Sequence, residues 1–251
     1  MEIAFARSTE IKEKIEERPA AVLPVGAVEA HGAHLPLGTD NILAERLTKR
    51  LAEETQSFQL PLLPYGQVWS LKQFPGSISI TNDVLINTIV SIGESLYQQG
   101  FCIFAIVNGH LGNQTALKEA ARVLYDRFPD LRVFYFFYPG LNQKRKEVEE
   151  SAVHHSYFHA CEIETSMMRY VAPEYVDMSR AIDDPPQIPI EADFTPTPWE
   201  VFTETAVLGE ATKATAEKGE IIIEHALQQM KLMMDRAYEE CRKIGREKKN
   251  D

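Results

Sequence analysis

The sequence predicts an α/β fold, and three observations support that class. Short apolar segments alternate with longer amphipathic ones, which is typical of a mostly parallel sheet covered by helices on both faces. Polar clusters rich in histidine and carboxylate residues follow several of the apolar segments. The 251 residues contain no evident repeat or low-complexity tract, and their number suits one large α/β domain spanning residues 1–251.

The predicted strands rest on short, buried-type apolar runs. The run at 20–25 ends at Gly26, and the run at 101–107 is the longest in the chain. Both are short, continuous apolar runs, so we assign them to buried strands. The other predicted strands are 59–63, 77–80 and 131–138.

The predicted helices rest on apolar residues at helical spacing and on end signals. Residues 41–54 repeat apolar side chains at that spacing, with Thr39 or Asp40 as the predicted N-cap. Residues 82–99 form another helix, which ends before Gly100. The other predicted helices are 9–17, 113–128, 162–171 and 215–244.

Two segments are less regular. Residues 139–158 are charged, and we expect a short helix among them. Residues 181–205 contain five prolines and are predicted to be a long irregular loop. Long loops within compact domains often act as lids or contact surfaces, so this one is a candidate lid.

Composition restricts the partners and the compartment. The net charge of −11 argues against nucleic acid and anionic membrane, because both require a basic surface. No apolar run approaches the roughly 20 residues that span a bilayer, and the first residues lack the apolar core of a signal peptide. The three cysteines suggest no disulfide framework. We therefore expect a cytoplasmic protein.

Three polar clusters, at 24–40, 108–113 and 159–166, carry the candidate chemistry. They supply Glu29, His31 and Asp40, then His110, and then His159, Glu162 and Glu164. Mixed imidazole and carboxylate donors suit Zn²⁺ or Mn²⁺, including a pair of ions bridged by one carboxylate. Ions about 3.5 Å apart would make a bridging hydroxide available at neutral pH to attack a carbonyl group.

Each of these residues also has an ordinary structural explanation. Asp40 alone would be a helix cap, and Glu162 and Glu164 could be first-turn glutamates that complement the helix dipole. Their joint placement after strands is what favours a metal site, because ligands of open α/β sheets bind at the carboxyl ends of strands.

Five segments resemble the creatininase family. They are PVGAVEAHGAHLPLGTD, FPGSISI, NGHLGN, HACEIETS and GEATKATAEKG, and they occur in the order found in that family. The resemblance implies a three-layer α/β/α sandwich and two divalent metal ions per subunit, zinc or manganese, with iron as a further candidate. It also implies a small-molecule substrate and a homo-oligomer, for which the hexamer is the common state of the family.

The resemblance also implies roles for individual residues. Glu29, His31, Asp40 and His110 match metal ligands, with Asp40 as the bridge. His159 matches the catalytic histidine, which would carry a proton to the leaving nitrogen.

The fifth ligand is expected to differ from that of creatinine hydrolases. Those enzymes use a glutamate two residues after the histidine of the NGH segment, where this chain has Gly112. We assign Glu162 as the fifth ligand instead, and this exchange argues against creatinine as the substrate. Glu164 is expected to orient His159 or to contact the substrate.

Other residues near the motifs keep open roles. His34 could line the pocket, make a supporting hydrogen bond or serve only the loop structure. Cys161 is more plausible as a small buried thiol than as a nucleophile. Trp69 and Trp199 could stack on a flat substrate ring or simply pack.

The predicted function is hydrolysis of a non-peptide C–N bond, in a cyclic amide or a formamide, by a metal-bridging hydroxide. One alternative retains the metals and cleaves a C–C bond of a cyclic polyol ketone. Another is a non-catalytic scaffold of the same fold. A peptidase, the fourth possibility, would need an open groove.

Overall fold

The central sheet has four parallel strands. A computed structural model describes the backbone of residues 1–250 and the side chains of residues 1–243. The strands are β1 (Ala20–Val25), β2 (Phe58–Gln59), β3 (Ile103–Asn108) and β4 (Arg132–Phe136), and their spatial order is β2-β1-β3-β4. β1 pairs with β3 along its whole length, and its last residue, Val25, lies opposite Asn108. Both strands therefore end at the same edge of the sheet.

Seven α-helices accompany the sheet in the described part of the chain. They are α1 (Ser8–Glu17), α2 (Thr39–Thr55), α3 (Asn82–Gln98), α4 (Gln114–Arg127), α5 (Leu141–Val148), α6 (Glu162–Val171) and α7 (Ala216–Asn250). Each of the predicted helices is present within a few residues, and α5 is the short helix expected within 139–158. Among the described residues, no helix is long and apolar enough to cross a membrane.

Alternate side chains of β1 pack into two different hydrophobic clusters, one on each face of the sheet. Ala20 and Val22 pack with the apolar residues of α2, α6 and α7, whereas Ala21 and Leu23 pack with those of α3 and α4. Successive side chains of a strand point to opposite faces of the sheet, so both faces of β1 are covered by helices. The protein is therefore a three-layer α/β/α sandwich, as the sequence predicts.

Three local predictions differ from the structure. Of the predicted strand 59–63, only Gln59 lies in β2, and Leu63 makes an isolated bridge with Val25. Residues 77–80 do not form a strand of the sheet, and Ile78 makes only an isolated bridge with Val28. The N-cap of α2 is Gly38, and neither Thr39 nor Asp40 caps the helix. The Thr39 hydroxyl donates to the Pro36 carbonyl oxygen instead, and the Asp40 side chain faces the histidines described below.

The proline-rich segment is irregular, as predicted. Within it, β5 (Asp183–Asp184) pairs in antiparallel fashion with β6 (Gly209–Glu210), and short 3₁₀ turns occupy Ile190–Asp193 and Trp199–Val201. The remaining backbone has no regular hydrogen-bonding pattern.

The expectation that no disulfide forms is wrong for one pair. Cys102 and Cys241 are joined, with their Cα atoms 6.4 Å apart, and they link the residue before β3 to α7. Cys161 is a free, buried thiol. The two paired residues are 139 positions apart in sequence, so no local spacing signal could reveal them.

Candidate metal centre

The loops after β1 and β3 converge at the edge where the two strands end. Glu29 and His31 follow β1, and His110 follows β3. Gly109 makes this convergence possible, because a Cβ at that position would lie 2.1 Å from the Asp40 carbonyl oxygen. The NGH segment can therefore approach the first turn of α2 closely.

Asp40 lies between two imidazole rings. Its Oδ1 atom is 3.4 Å from His31 Nε2, and its Oδ2 atom is 3.1 Å from His110 Nδ1. Glu29 Oε1 is 3.0 Å from the same nitrogen of His110. The two oxygens of Asp40 thus face different histidines, which is the geometry that a bridging carboxylate requires.

Backbone carbonyl groups determine which ring nitrogen of each histidine faces the cluster. His31 Nδ1 lies 3.0 Å from the Glu29 carbonyl oxygen, and His110 Nε2 lies 2.7 Å from the Gln67 carbonyl oxygen. A carbonyl oxygen only accepts, so these nitrogens carry the hydrogen and donate it. The other nitrogen of each ring faces the carboxylates, and it is the atom that would bind a metal.

The cluster is buried and attracts positive charge. Among the described residues, His31 Nε2 and Asp40 Oδ2 are buried without a hydrogen-bond partner. Burial by itself lowers the pKa of His31 and His110, but the adjacent carboxylates outweigh it and raise both pKa values well above the usual range. Burial also raises the pKa of Asp40, and the two histidines outweigh it and lower that pKa. A divalent cation, bound in place of the histidine protons, would interact with the same ring nitrogens and carboxylate oxygens.

Glu164, and not Glu162, completes the cluster. Glu164 Oε2 lies 3.4 Å from His31 Nε2 and accepts a hydrogen bond from the Ala160 backbone N–H at 2.6 Å. Glu162 is also fully buried, but its carboxylate accepts from the Glu150 and Ser151 backbone N–H groups. The structure therefore does not bring Glu162, the expected fifth ligand, to the cluster.

Helical geometry explains why Glu162 and Glu164 face different directions. Both glutamates lie in the first turn of α6, and residues two apart on an α-helix point about 200° apart around its axis. Only one of them can face the cluster. Both are first-turn glutamates within one motif, so their positions in the sequence do not identify which one it is.

His159 stands beside the cluster with a fixed ring. Its Nε2 atom is 2.7 Å from the Ala30 carbonyl oxygen and therefore donates. Its Nδ1 atom faces Glu29 Oε1 at 3.7 Å and Glu164 Oε2 at 3.9 Å. Burial and the nearby His31 lower the pKa of His159. The ring therefore presents an unprotonated nitrogen to the site.

His34 and Cys161 lie behind the cluster. His34 Nε2 is 2.8 Å from the Thr165 hydroxyl, and this contact joins the first motif to α6. Burial, together with the Glu164 carboxylate, raises the pKa of the Cys161 thiol to about 11. Neither residue lines the cavity at the cluster, so His34 makes a supporting hydrogen bond and Cys161 is a buried thiol.

A cavity of about 510 Å³ opens onto the cluster. Its lining includes Glu29, Asp40, His110 and Glu164, together with His159, which is near both glutamates. Trp69 and Trp199 both line it, and the proline-rich segment also contributes Ala192 and residues 195–197. Sequence reasoning missed the wall residues Phe137 and Leu71, because nothing in the local pattern distinguishes them from core residues.

Three curated proteins resemble the chain over most of its length. Creatinine amidohydrolase of Pseudomonas putida is 30% identical over 228 residues, covering 82% of this chain and 85% of that protein. 3-Dehydro-scyllo-inosose hydrolase of Thermotoga maritima is 26% identical, covering 71% and 58%. The mycofactocin precursor peptide peptidase of Mycobacterium tuberculosis is 28% identical, covering 80% and 78%. All three are named for hydrolytic activities.

Solved creatininase structures share the fold. A creatininase variant described as Zn-Zn type superposes with a TM-score of 0.82 at 27% identity, covering 93% of this chain and 96% of that one. A manganese creatininase superposes with a TM-score of 0.81 at 26% identity, covering 93% and 97%. Residues 4–233 match the family described as creatinine amidohydrolase. This chain is therefore a member of the creatininase family of hydrolases.

Proposed function

We propose that this protein is a cytoplasmic, binuclear metal-dependent amidohydrolase that cleaves a non-peptide C–N bond, of a cyclic amide or a formamide, in a small molecule. One observation carries the proposal: the buried cluster divides into two sets of three ligands that share Asp40. Glu29 and His110 complete one set, and His31 and Glu164 complete the other. A shared carboxylate between two ions is typical of binuclear hydrolases.

The donor atoms fit zinc or manganese, and iron is a further candidate. The five residues offer imidazole nitrogen and carboxylate oxygen without thiolate, which suits these ions. Three buried carboxylates offset most of the charge of two divalent ions and leave one positive charge for an anionic ligand. Creatininase structures described as containing Zn or Mn support the same choice.

The residues around the cluster supply binding and proton transfer. Two bound ions would polarise a substrate carbonyl and lower the pKa of a water molecule. His159 faces the cluster through Nδ1, and its lowered pKa leaves that nitrogen free to accept a proton at neutral pH. The hydrogen bond from Nε2 to the Ala30 carbonyl oxygen holds the ring while Nδ1 returns the proton to the leaving nitrogen.

The alternative reactions are less well supported. The Thermotoga maritima relative suggests cleavage in a cyclic polyol ketone, and the mycobacterial relative suggests a peptide bond. A polypeptide needs an open groove, whereas residues 192 and 195–197 and Trp199 form one wall of this cavity. A non-catalytic scaffold would not need the complete set of oriented donors.

Metal content tests the proposal. The chain, purified without chelator and incubated with Zn²⁺ or Mn²⁺, should contain about two equivalents by elemental analysis. Asp40→Asn should lose both ions, because both sets share this residue, and Glu164→Gln should lose one. Glu174→Gln, which changes a half-exposed glutamate at the surface, is the matched control.

Substrate tests follow on the loaded protein. Formamides and cyclic amides should be hydrolysed, while a polyol ketone and a short peptide identify the alternative reactions. A wild-type chain that stays empty of both ions would overturn the proposal and favour the scaffold.

The family resemblance leads us to propose a homo-oligomer as well, with a hexamer as the expected state. Size-exclusion chromatography with light scattering measures the mass in solution. A monomer at all concentrations would contradict this expectation.

A further inference from the structure

Apart from the histidines and carboxylates, the side chains that line the cavity are mostly aromatic or aliphatic. The aromatic wall consists of Trp69, Phe137, Tyr157, Phe158 and Trp199, and Val68, Leu71 and Leu111 add aliphatic surface. The described residues that line the cavity include no lysine or arginine. Polar groups on the wall are few and uncharged, chiefly those of Gln67, Ser70, Thr195 and Thr197.

Contacts with the rest of the protein hold two of these rings in place. The Trp199 backbone N–H donates to the Ser70 carbonyl oxygen at 2.9 Å, which fastens the proline-rich segment to the segment that carries Trp69. The Tyr157 hydroxyl donates to the Ala192 carbonyl oxygen at 3.2 Å. Because these contacts form within the chain, the ring surfaces are positioned before any ligand arrives.

His154 contacts Tyr157 and supports this part of the aromatic wall. Its Nδ1 atom accepts hydrogen bonds from the Ser156 and Tyr157 backbone N–H groups, so Nε2 carries the hydrogen and faces Asp193 Oδ2 at 3.6 Å. Its ring stacks on the Tyr157 ring, with centroids 4.3 Å apart and planes at 14°. His154, His155 and Asp193 are close enough together to hold a metal ion. In this tautomer, however, His154 Nε2 carries a hydrogen and has no lone pair with which to bind a metal.

Trp199, a residue of the aromatic wall, also contacts the ring of His159. Its ring lies edge-on to the His159 ring, with centroids 5.3 Å apart and planes at 73°. A flat ring that contacts Trp199 would therefore extend toward the histidine that we propose to protonate the leaving nitrogen. The scissile bond of such a ligand would be attached directly to the ring.

The lining disfavours two other kinds of substrate. A free carboxylate on the part of a ligand that contacts the aromatic wall would need a cationic partner there, and the described lining residues include no lysine or arginine. A polyol needs a hydrogen-bonding partner for each hydroxyl, which an aromatic wall does not provide. The volume of about 510 Å³ is within the range of about 300–1,000 Å³ for drug-sized ligands, and the single small ring of creatinine would leave much of it unfilled.

We propose that the substrate is an uncharged aromatic amide, an N-aryl formamide or a cyclic amide fused to an aromatic ring, whose ring packs on the aromatic wall beside Trp199. This inference rests on the proposed function for the identity of the bond. The ring packs by offset or edge-on contacts with Trp199 and Tyr157, and the carbonyl group faces the cluster of histidines and carboxylates.

Equilibrium binding tests this inference without hydrolysis. The full chain is treated with chelator and titrated with three probes, acetanilide, N-cyclohexylacetamide and 4-acetamidobenzoate, by calorimetry or ligand-observed NMR. Acetanilide should bind more tightly than the cyclohexyl amide by about fivefold to tenfold, which corresponds to a favourable aromatic pair. The anionic probe should bind most weakly.

Single substitutions then test which side chain causes the preference for acetanilide. Trp199→Leu should remove the preference for acetanilide over the cyclohexyl amide, and Trp199→Phe, which keeps a ring, should retain most of it. Phe194→Leu is the matched control, because Phe194 belongs to the same segment, is 85% exposed and does not line the cavity. Circular dichroism of each variant verifies that it is folded.

The outcomes separate this inference from the proposed function. Equal binding of the two neutral probes, or a preference that persists in folded Trp199→Leu, would overturn the aromatic substrate class and leave the metal test unaffected. Tighter binding of 4-acetamidobenzoate would overturn it as well. A chain without metals or hydrolytic activity would refute the proposed function, while the ring preference would still be measured independently.

Discussion

Lys218 Nζ lies 2.5 Å from Glu162 Oε1, and this ion pair joins the start of α7 to the start of α6. The Glu162 carboxylate also accepts from the Ser151 hydroxyl at 2.8 Å and from the Ser151 and Glu150 backbone N–H groups at 3.0 Å. One buried carboxylate thus connects two helices and the loop that leads to Tyr157 and His159.

The two glutamates of α6 should respond differently to the same substitution. Glu162→Gln should retain both metal ions and lower the free energy of unfolding by about 1–3 kcal/mol, because the buried side chain loses its ion pair with Lys218, which keeps Glu150 as its other carboxylate partner. Glu164→Gln should lose metal with a smaller effect on the chelator-treated chain. Elemental analysis and urea denaturation of both variants measure these effects. Loss of metal from Glu162→Gln with retention in Glu164→Gln would restore the original ligand assignment.

Replacement of His159 should affect turnover more than metal content. His159→Gln removes the proton-carrying nitrogen, and we expect kcat to fall by about 10²- to 10⁴-fold on a substrate identified for the loaded enzyme. The metal content should stay at the wild-type value, because the two sets of three ligands that share Asp40 do not include His159. Glu29, His31 and His159 also lie close enough to share an ion. A variant that loses one equivalent would therefore identify His159 as a ligand.

Thiol counts should distinguish the three cysteines. The native chain should react slowly with iodoacetamide at pH 8, because burial raises the pKa of Cys161 to about 11 and the other two cysteines are paired. Unfolding without reductant should expose one thiol per chain, and unfolding with reductant should expose all three. Mass spectrometry counts the alkylated sites. Three thiols on unfolding without reductant would show that Cys102 and Cys241 are reduced.

One surface ion pair should make stability depend on pH. Arg50 Nη1 and Nη2 donate to the two oxygens of Glu224 at 2.6 and 2.9 Å, and these bonds hold the pKa of Glu224 below its usual range. A carboxyl pKa that is lower in the folded state adds stability above the unfolded pKa, and this stability is lost as the pH falls through the folded pKa. The partly exposed pair should contribute about 0.2–1 kcal/mol at pH 7.

The comparison of wild type with Glu224→Gln tests this dependence. The difference in unfolding free energy should be largest near neutral pH and should shrink as the pH falls below the usual glutamate pKa of about 4.3, because the carboxyl group then becomes protonated. Glu239→Gln, an exposed position on the same helix, is the control. A difference that stays constant from pH 7 to pH 3 would contradict the assignment.

The sequence by itself determined the architecture and most of the candidate cluster. An apolar run followed by polar residues predicts a buried strand with its functional loop at the carboxyl end, and β1 and β3 follow this pattern. Since parallel strands end at one edge, Glu29, His31 and His110 had to lie near one another. The helix after the first motif then placed Asp40 beside them.

Tertiary structure decided what local pattern could not encode. Lys218 and Ser151 draw the Glu162 carboxylate away from the cluster, so Glu164 is the glutamate that faces His31. The disulfide between Cys102 and Cys241 likewise depends on how β3 and α7 pack. In each case the direction of a side chain follows from partners distant in sequence.

The cavity wall is also a product of packing. Trp69, Phe137 and Trp199 lie on three separate segments, and each would suit an ordinary core position when considered alone. They line one cavity because the proline-rich segment is held to Ser70 by a hydrogen bond from the Trp199 backbone N–H. Sequence periodicity indicates which residues are buried. Only the folded chain determines which of these residues line a cavity.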